Sequence, residues 1–165
     1  MSDRRISRRR AIEIIFEKHG KYAIYIANTG YISRAVYDIF PEMDNILYMQ
    51  GSMGIAPAIG LGMAEHTEKP IVVISGDGAL LMHLGITHTI RDRFRKNLHV
   101  YVLDNGSHES VGSYKVSNLK SDVAGQCWYP GIRKIIKIKK DGKLPRVGID
   151  CEQNAINVKE ELQYE

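Results

Sequence analysis

Two apolar runs, each ended by an acidic turn containing glycine, limit this chain more than any other feature. Ile71-Val72-Val73-Ile74-Ser75 runs into Gly76-Asp77-Gly78, and Val100-Tyr101-Val102-Leu103 runs into Asp104-Asn105-Gly106. A short β-branched run stopped by glycine reads as a buried parallel strand. Twenty-five residues, Ala79 to Leu103, lie between the first turn and the second. That is the helix-plus-strand length that one right-handed crossover requires. Adjacent parallel strands therefore carry Asp77 and Asn105 to one edge of a sheet, the edge where α/β folds place ligands. A carboxylate and an amide oxygen meeting there suit Mg²⁺, which takes hard oxygen ligands and keeps positions for water or phosphate. Glycines beside Asp77 let backbone N–H groups approach a diphosphate closely. A lone Gly-Asp-Gly commonly ends a strand with no ligand. The pair of turns carries the argument.

The remaining periodicity predicts an α/β fold, a parallel sheet with helices on both faces. Helices are expected over Arg8 to Lys18, Ser33 to Phe40, Gly54 to Ala64 and Ala79 to Phe94, with a closing helix over Ala155 to Leu162. Strands are expected over Ala23 to Ala27, Ile46 to Met49, Ile135 to Ile138 and Arg146 to Ile149, besides the two central runs. Gly54, Ala58 and Gly62 recur four apart, a spacing that lets a helix approach a neighbouring backbone. Pro57 is tolerable near that helix's start.

No linker or repeat divides the 165 residues, so one domain over 1–165 is expected. Hydrophobic content of 44% and charged content of 25% describe a soluble protein. No apolar run approaches the ~20 residues of a membrane span, and neither membrane nor nucleic acid is expected as a partner. The basic start, MSDRRISRRR, reads as a solvated helix start. The net charge of +4 is compatible with an anionic substrate and cofactor. Cys127 and Cys151 form no metal-ligand pattern and point to a reducing, cytoplasmic setting.

LYMQGSMG, ISGDGALLMHLG and LDNGSHESVG together resemble the diphosphate-binding (PP-type) domain of thiamine-diphosphate-dependent 2-oxoacid decarboxylases, nearest to the phosphonopyruvate and sulfopyruvate decarboxylases. IANTGYISRAVYDI resembles the segment that opens this domain. The likeness is clearest over residues 11–112. The family's signature is Gly-Asp-Gly followed a crossover later by Asn-Asn; here Asp104 replaces the first asparagine. The run His108-Glu109-Ser110-Val111-Gly112 leans toward the phosphonopyruvate branch.

The resemblance implies thiamine diphosphate and Mg²⁺ as cofactors and gives each site residue a role. Asp77, the Asn105 side chain and the Ser107 carbonyl would hold Mg²⁺. Gly78 and Ala79, after Gly76, would offer backbone N–H groups to the diphosphate. Gly51 and Met53, framed by Ser52 and Gly54, would meet the aminopyrimidine ring, with the Met53 side chain as the wedge that bends the cofactor. His108 and Glu109 are candidates for protonating the carbanion. His83 is a weaker one, and His66, His88 and His99 are read as structural or exposed. Arg34 and Ser110 are candidates for meeting an acidic substrate group, since guanidinium suits tetrahedral oxyanions.

Nothing in the chain resembles the family's pyrimidine-binding domain, whose glutamate bonds N1′ of the cofactor, and Glu13 is no substitute for it. The resemblance therefore implies an active site shared with a pyrimidine-binding subunit in a hetero-oligomer, with homo-oligomers when that partner is missing. The expected activity is decarboxylation of an acidic 2-oxoacid, phosphonopyruvate first and sulfopyruvate second. A non-catalytic assembly subunit is the alternative. After the metal loop the sequence SYKVSNLKSDVAGQCWYPG departs from the family, and Cys127 there echoes a family cysteine. A nucleotide-binding module would need a P-loop or a Gly-x-Gly-x-x-Gly fingerprint, which is missing.

Overall fold

Helical and strand segments alternate through the first two-thirds of the chain. The computed structural model describes residues 5–119 and 129–163; Cys127 and the middle of the segment that departs from the family lie outside these. Helix α1 (Arg8–His19) leads into strand β1 (Ile24–Ala27), then α2 (Tyr31–Ile39) and β2 (Ile46–Tyr48). Next come α3 (Ala56–Ala64), β3 (Ile71–Gly76), α4 (Asp77–Met82) and α5 (Ile86–Asp92). Strand β4 (Leu98–Asp104) is followed by a small hairpin, β5 (Ser107–His108) and β6 (Tyr114–Lys115). Strand β7 (Ile132–Lys137) and helix α6 (Cys151–Gln163) close the chain.

The main sheet has five strands in the order β2-β1-β3-β4-β7, all parallel. Its strand residues alternate between two apolar layers, as a period of two requires. Tyr25, Ala27, Val72, Ile74, Tyr101 and Leu103 pack with α1 and α2 on one face. Ile24, Ile26, Ile71, Val73, Val100 and Val102 pack with α3 to α6 on the other. Both faces are covered, so the strands read as continuous apolar runs. Strand β7 carries the exposed Arg133, Lys134 and Lys137, charges that discourage edge-to-edge pairing.

Four expectations need correction. The helix expected over Ala79 to Phe94 is two helices, broken across His83, Leu84 and Gly85. Glycine is a poor helix former, and the break turns the His83 ring back against Gly54, where a Cβ would lie 2.5 Å from Nδ1. No strand forms over Arg146 to Ile149. Val147 and Ile149 instead pack against the α1–α2 layer, and Gln50 Nε2 donates to the Ile149 carbonyl at 2.9 Å. The stripe Gly54, Ala58, Gly62 does not make the close contact of α3: Ala58 and Gly62 face solvent. Gly60 does, since a Cβ there would lie 2.5 Å from Val73 Cγ2. Finally, Arg8 is no solvated residue; it is 2% exposed.

Candidate functional site

Strands β3 and β4 pair in register, Gly76 opposite Leu103, so both acidic turns emerge side by side at the carboxyl edge of the sheet. The sheet is parallel here because α4 and α5 carry the chain back across one face. Asp77 opens α4 and is 4% exposed. Its Oδ2 accepts from the Gly106 N–H at 2.8 Å, which ties the first turn to the second. Burial raises the Asp77 carboxyl to about 6, and the neighbouring Asp104 carboxylate adds to the shift. Asp104, 5% exposed, also accepts from Gly106 N–H and pairs with Lys137 on β7. Asp104 is therefore a carboxylate with its own counter-charge.

The Asn105 amide is held at both ends. Its Oδ1 accepts from the Ser107 N–H at 3.0 Å, and its Nδ2 donates to Glu109 Oε2 at 2.8 Å. Ser107 is buried with its hydroxyl unpartnered. The His108 ring lies against Gly78, where a Cβ would come within 2.3 Å of Cε1. Glu109 has no oxygen to spare: Oε2 also accepts from Arg8 Nη2 at 2.6 Å, and Oε1 accepts from the Gly142 N–H at 3.0 Å.

Met53, Gly76, Asp77, Gly78, Ala79, Asn105 and the run Ser107 to Ser110 all line one cleft. Gly51 and Ser52 are exposed in the turn after β2 and are not among its lining residues. Ser52 has φ of 53°, an uncommon conformation for a residue with a side chain, and Gly54 follows at 93°. Asn28 Oδ1 accepts from the Gly54 N–H at 3.4 Å, which ties this turn to the end of β1. The enclosed part of the cleft is about 60 Å³, well below the roughly 300–1,000 Å³ of small-molecule pockets.

Arg34 lies outside this cleft. Its Nη1 donates to the Leu144 carbonyl at 3.1 Å, and its guanidinium sits 5.2 Å from the centre of the Tyr31 ring. It lines an adjoining hollow of about 310 Å³ that shares Thr29 and Ser110 with the first cleft and adds Arg146. His83 is exposed and does not line the first cleft. A third hollow, about 530 Å³, lies between Ala64–Glu68 and Phe94–Asn97 at the opposite edge of the sheet. That is the amino-terminal edge, where parallel sheets do not collect ligands.

Arg8, Asn28, Thr29 and Tyr31 also line the first cleft, and residue-by-residue reading passed over them. A signal existed for Asn28 and Thr29: polar residues directly after a buried strand that ends at the same edge. Arg8 gave none, because its burial depends on Glu109, 101 positions away.

Together these features define an α/β binding domain with its ligand cleft at the carboxyl ends of two adjacent parallel strands. The chain belongs to the thiamine pyrophosphate enzyme family, through its C-terminal TPP binding domain, whose profile matches residues 28–134. Among its relatives, a phosphonopyruvate decarboxylase of Streptomyces viridochromogenes is 38% identical over 125 residues, covering 74% of this chain and 31% of the relative. The sulfopyruvate decarboxylase subunit beta of Methanocaldococcus jannaschii is 37% identical over 110 residues, covering 67% of this chain and 58% of the relative. A phosphonopyruvate decarboxylase of Streptomyces hygroscopicus is 37% identical over 134 residues, with 33% of its length covered. The chain thus spans about a third of the phosphonopyruvate decarboxylases and over half of the beta subunit. Among the described residues no helix is long and apolar enough to cross a membrane.

Proposed function

We propose that this chain is the diphosphate- and metal-holding part of a thiamine-diphosphate-dependent decarboxylase acting on an acidic 2-oxoacid, with phosphonopyruvate the preferred substrate. One observation carries the reading: Asp77 and Asn105 directly follow adjacent strands and line one cleft, with the Asp77 carboxylate buried beside Asp104. A buried carboxylate whose charged form is disfavoured is a site that a cation relieves. Among the described residues no three His, Cys, Asp or Glu side chains form a metal cage. That suits Mg²⁺, which uses one or two carboxylates and takes phosphate for much of its shell.

In this reading Asp77, the Asn105 Oδ1 and the Ser107 carbonyl hold Mg²⁺, and the Gly78 and Ala79 N–H groups meet the diphosphate. Gly51, Ser52 and Met53 form the turn against the aminopyrimidine ring. When bound, thiamine diphosphate supplies the electron sink that lets a 2-oxoacid lose CO₂. His108, over Gly78 and inside the cleft, is the proton carrier. Glu109 is not, because hydrogen bonds already engage both of its oxygens. Arg34 and Ser110 border the adjoining hollow and receive the second anionic group of the substrate. A pyrimidine-binding subunit completes the site in a cytoplasmic hetero-oligomer, a reading supported by the relatives that are named as beta subunits.

A second reading, the beta subunit of a sulfopyruvate decarboxylase, is favoured by how much of that subunit the chain spans. The test is CO₂ release from phosphonopyruvate, sulfopyruvate and pyruvate, by the chain alone and with a pyrimidine-domain subunit. Preference for sulfopyruvate selects the second reading. Full turnover by the chain alone removes the shared site, and no turnover on any acid with the partner bound leaves an assembly subunit.

A further inference from the structure

The start of the chain reaches the candidate metal loop. Ile6 bridges Ile138 in parallel beyond the end of β7, with Ile6 N–H donating to the Lys137 carbonyl and Lys139 N–H to the Ile6 carbonyl. Ser7 caps α1 through the Arg10 N–H, so Arg8 enters the helix pointing inward. Its backbone N–H donates to Asp141 Oδ2 at 2.7 Å, and its Nη2 donates to Glu109 Oε2 at 2.6 Å. The two side chains are 2% and 8% exposed. Nη1 has no hydrogen-bond partner and lies 3.9 Å from Asp141 Oδ2. Burying a guanidinium with an unsatisfied donor opposes folding, and apolar residues often stabilise such positions as well or better. Stability alone gives little reason for arginine here.

The reason lies one bond further on. Glu109 Oε2 accepts from Asn105 Nδ2 as well as from Arg8. A side-chain amide has a donor end and an acceptor end, and exchanging them reverses what each neighbour meets. If the Asn105 amide were flipped, its oxygen would face the Glu109 carboxylate and its NH₂ would face the Ser107 N–H. Both contacts would be repulsive. In the observed arrangement both are hydrogen bonds, and Oδ1 stays on the Ser107 side. Arg8 supplies the counter-charge that lets Glu109 stay buried as an acceptor beside a site built for anions.

We propose that Arg8 and Glu109 are positioning residues that fix the Asn105 amide with its oxygen toward the metal. This rests on the reading of Asn105 as a metal ligand. Outer partners of this kind typically change metal affinity by about 10–100-fold when removed.

The experiment is equilibrium dialysis of thiamine diphosphate against the full chain assembled with a pyrimidine-domain subunit, read as the Mg²⁺ concentration that gives half-maximal retention. Arg8→Met and Glu109→Gln should each raise that concentration by about 10–100-fold. Asn105→Ala should raise it too, and Arg8→Met added to Asn105→Ala should raise it no further, because both act through one amide. Thermal melts run alongside; if Arg8→Met unfolds, Arg8→Lys and Glu109→Gln interrogate the same contact. Asp77→Ala separates the two claims. Unchanged Mg²⁺-dependent retention in the Asp77→Ala assembly, or no retention by the unmodified assembly, overturns the metal reading and this inference with it. Loss in Asp77→Ala with unchanged half-saturation in Arg8→Met and Glu109→Gln overturns the inference alone. So does an undiminished effect of Arg8→Met in the Asn105→Ala background, which would mark a general structural role.

Discussion

Gly78 lacks a side chain where the His108 ring lies: a Cβ on residue 78 would sit 2.3 Å from Cε1 and 2.6 Å from Nδ1. A side chain at residue 78 would therefore have to displace the His108 ring from its place in the cleft. Gly78→Ala should destabilise by about 1–3 kcal/mol, the usual range for overpacking. In the double variant with His108→Ala the obstacle is gone, so adding Gly78→Ala to His108→Ala should change the unfolding free energy little. Urea melts of the four proteins measure this, and equal losses in both backgrounds would contradict the contact.

The Asp77 carboxyl is raised from 3.8 to about 6, first by burial and then by Asp104. A raised acid stabilises the fold while protonated, and that contribution is lost as pH rises from about 4 through about 6. In EDTA, wild type minus Asp77→Asn should show a stability difference that falls across this window. Saturating Mg²⁺ with thiamine diphosphate should restore stability above pH 6 in wild type alone. A flat difference across the window would mean that the carboxylate is not disfavoured.

His19 and His99 give the opposite slope. Burial holds His19 down at about 4, helped by His99, and His99 is lowered by burial and by Arg133. His19 Nε2 lies 2.9 Å from the Tyr101 hydroxyl, in the layer between α1 and β4. A depressed base leaves the fold at full stability above about 6.5 and weakens it as pH falls toward about 4. His19→Gln retains a partner for Tyr101 and should lessen the loss of melting temperature between pH 7 and pH 5. An unchanged acid limb would assign that limb to other groups.

Two glycines of α3 should respond with opposite signs. Gly60→Ala drives a methyl into Val73 and Leu98, so a loss of about 1–3 kcal/mol is expected. At Gly62 nothing lies within 4 Å of a new Cβ, and alanine should stabilise by about 0.5–1 kcal/mol. Chemical denaturation of the pair measures both. A stabilised Gly60→Ala would mean the α3–sheet contact is looser than its geometry.

The sheet was legible in the sequence because its strands are covered on both faces and so read as apolar runs. The edge on which Asp77 and Asn105 meet followed from crossover length alone. Local pattern could not show which small residue of α3 touches the sheet, since Gly60 and Gly62 differ only in orientation. Nor could it show that Val147 and Ile149 pack without pairing, because an alternating segment looks the same whether or not a strand edge is free to receive it. The candidate site was legible wherever its residues follow a strand end. Arg8 and the engagement of Glu109 were not, because their partners are distant in the chain and are set by the finished fold.

The pairing of β3 with β4 has a consequence for how such a chain tolerates change. Backbone hydrogen bonds along the two strands, not the peptide between them, align Gly76 with Leu103. Residues inserted or lost around Phe94 to Lys96, exposed at the far edge, leave that alignment alone. A single residue lost within Val100 to Leu103 would turn Asp104 and Asn105 to opposite sides of the sheet edge and exchange their surroundings. Descendants of this sequence can therefore drift in the length of the excursion, while the count along the strands admits no drift at all.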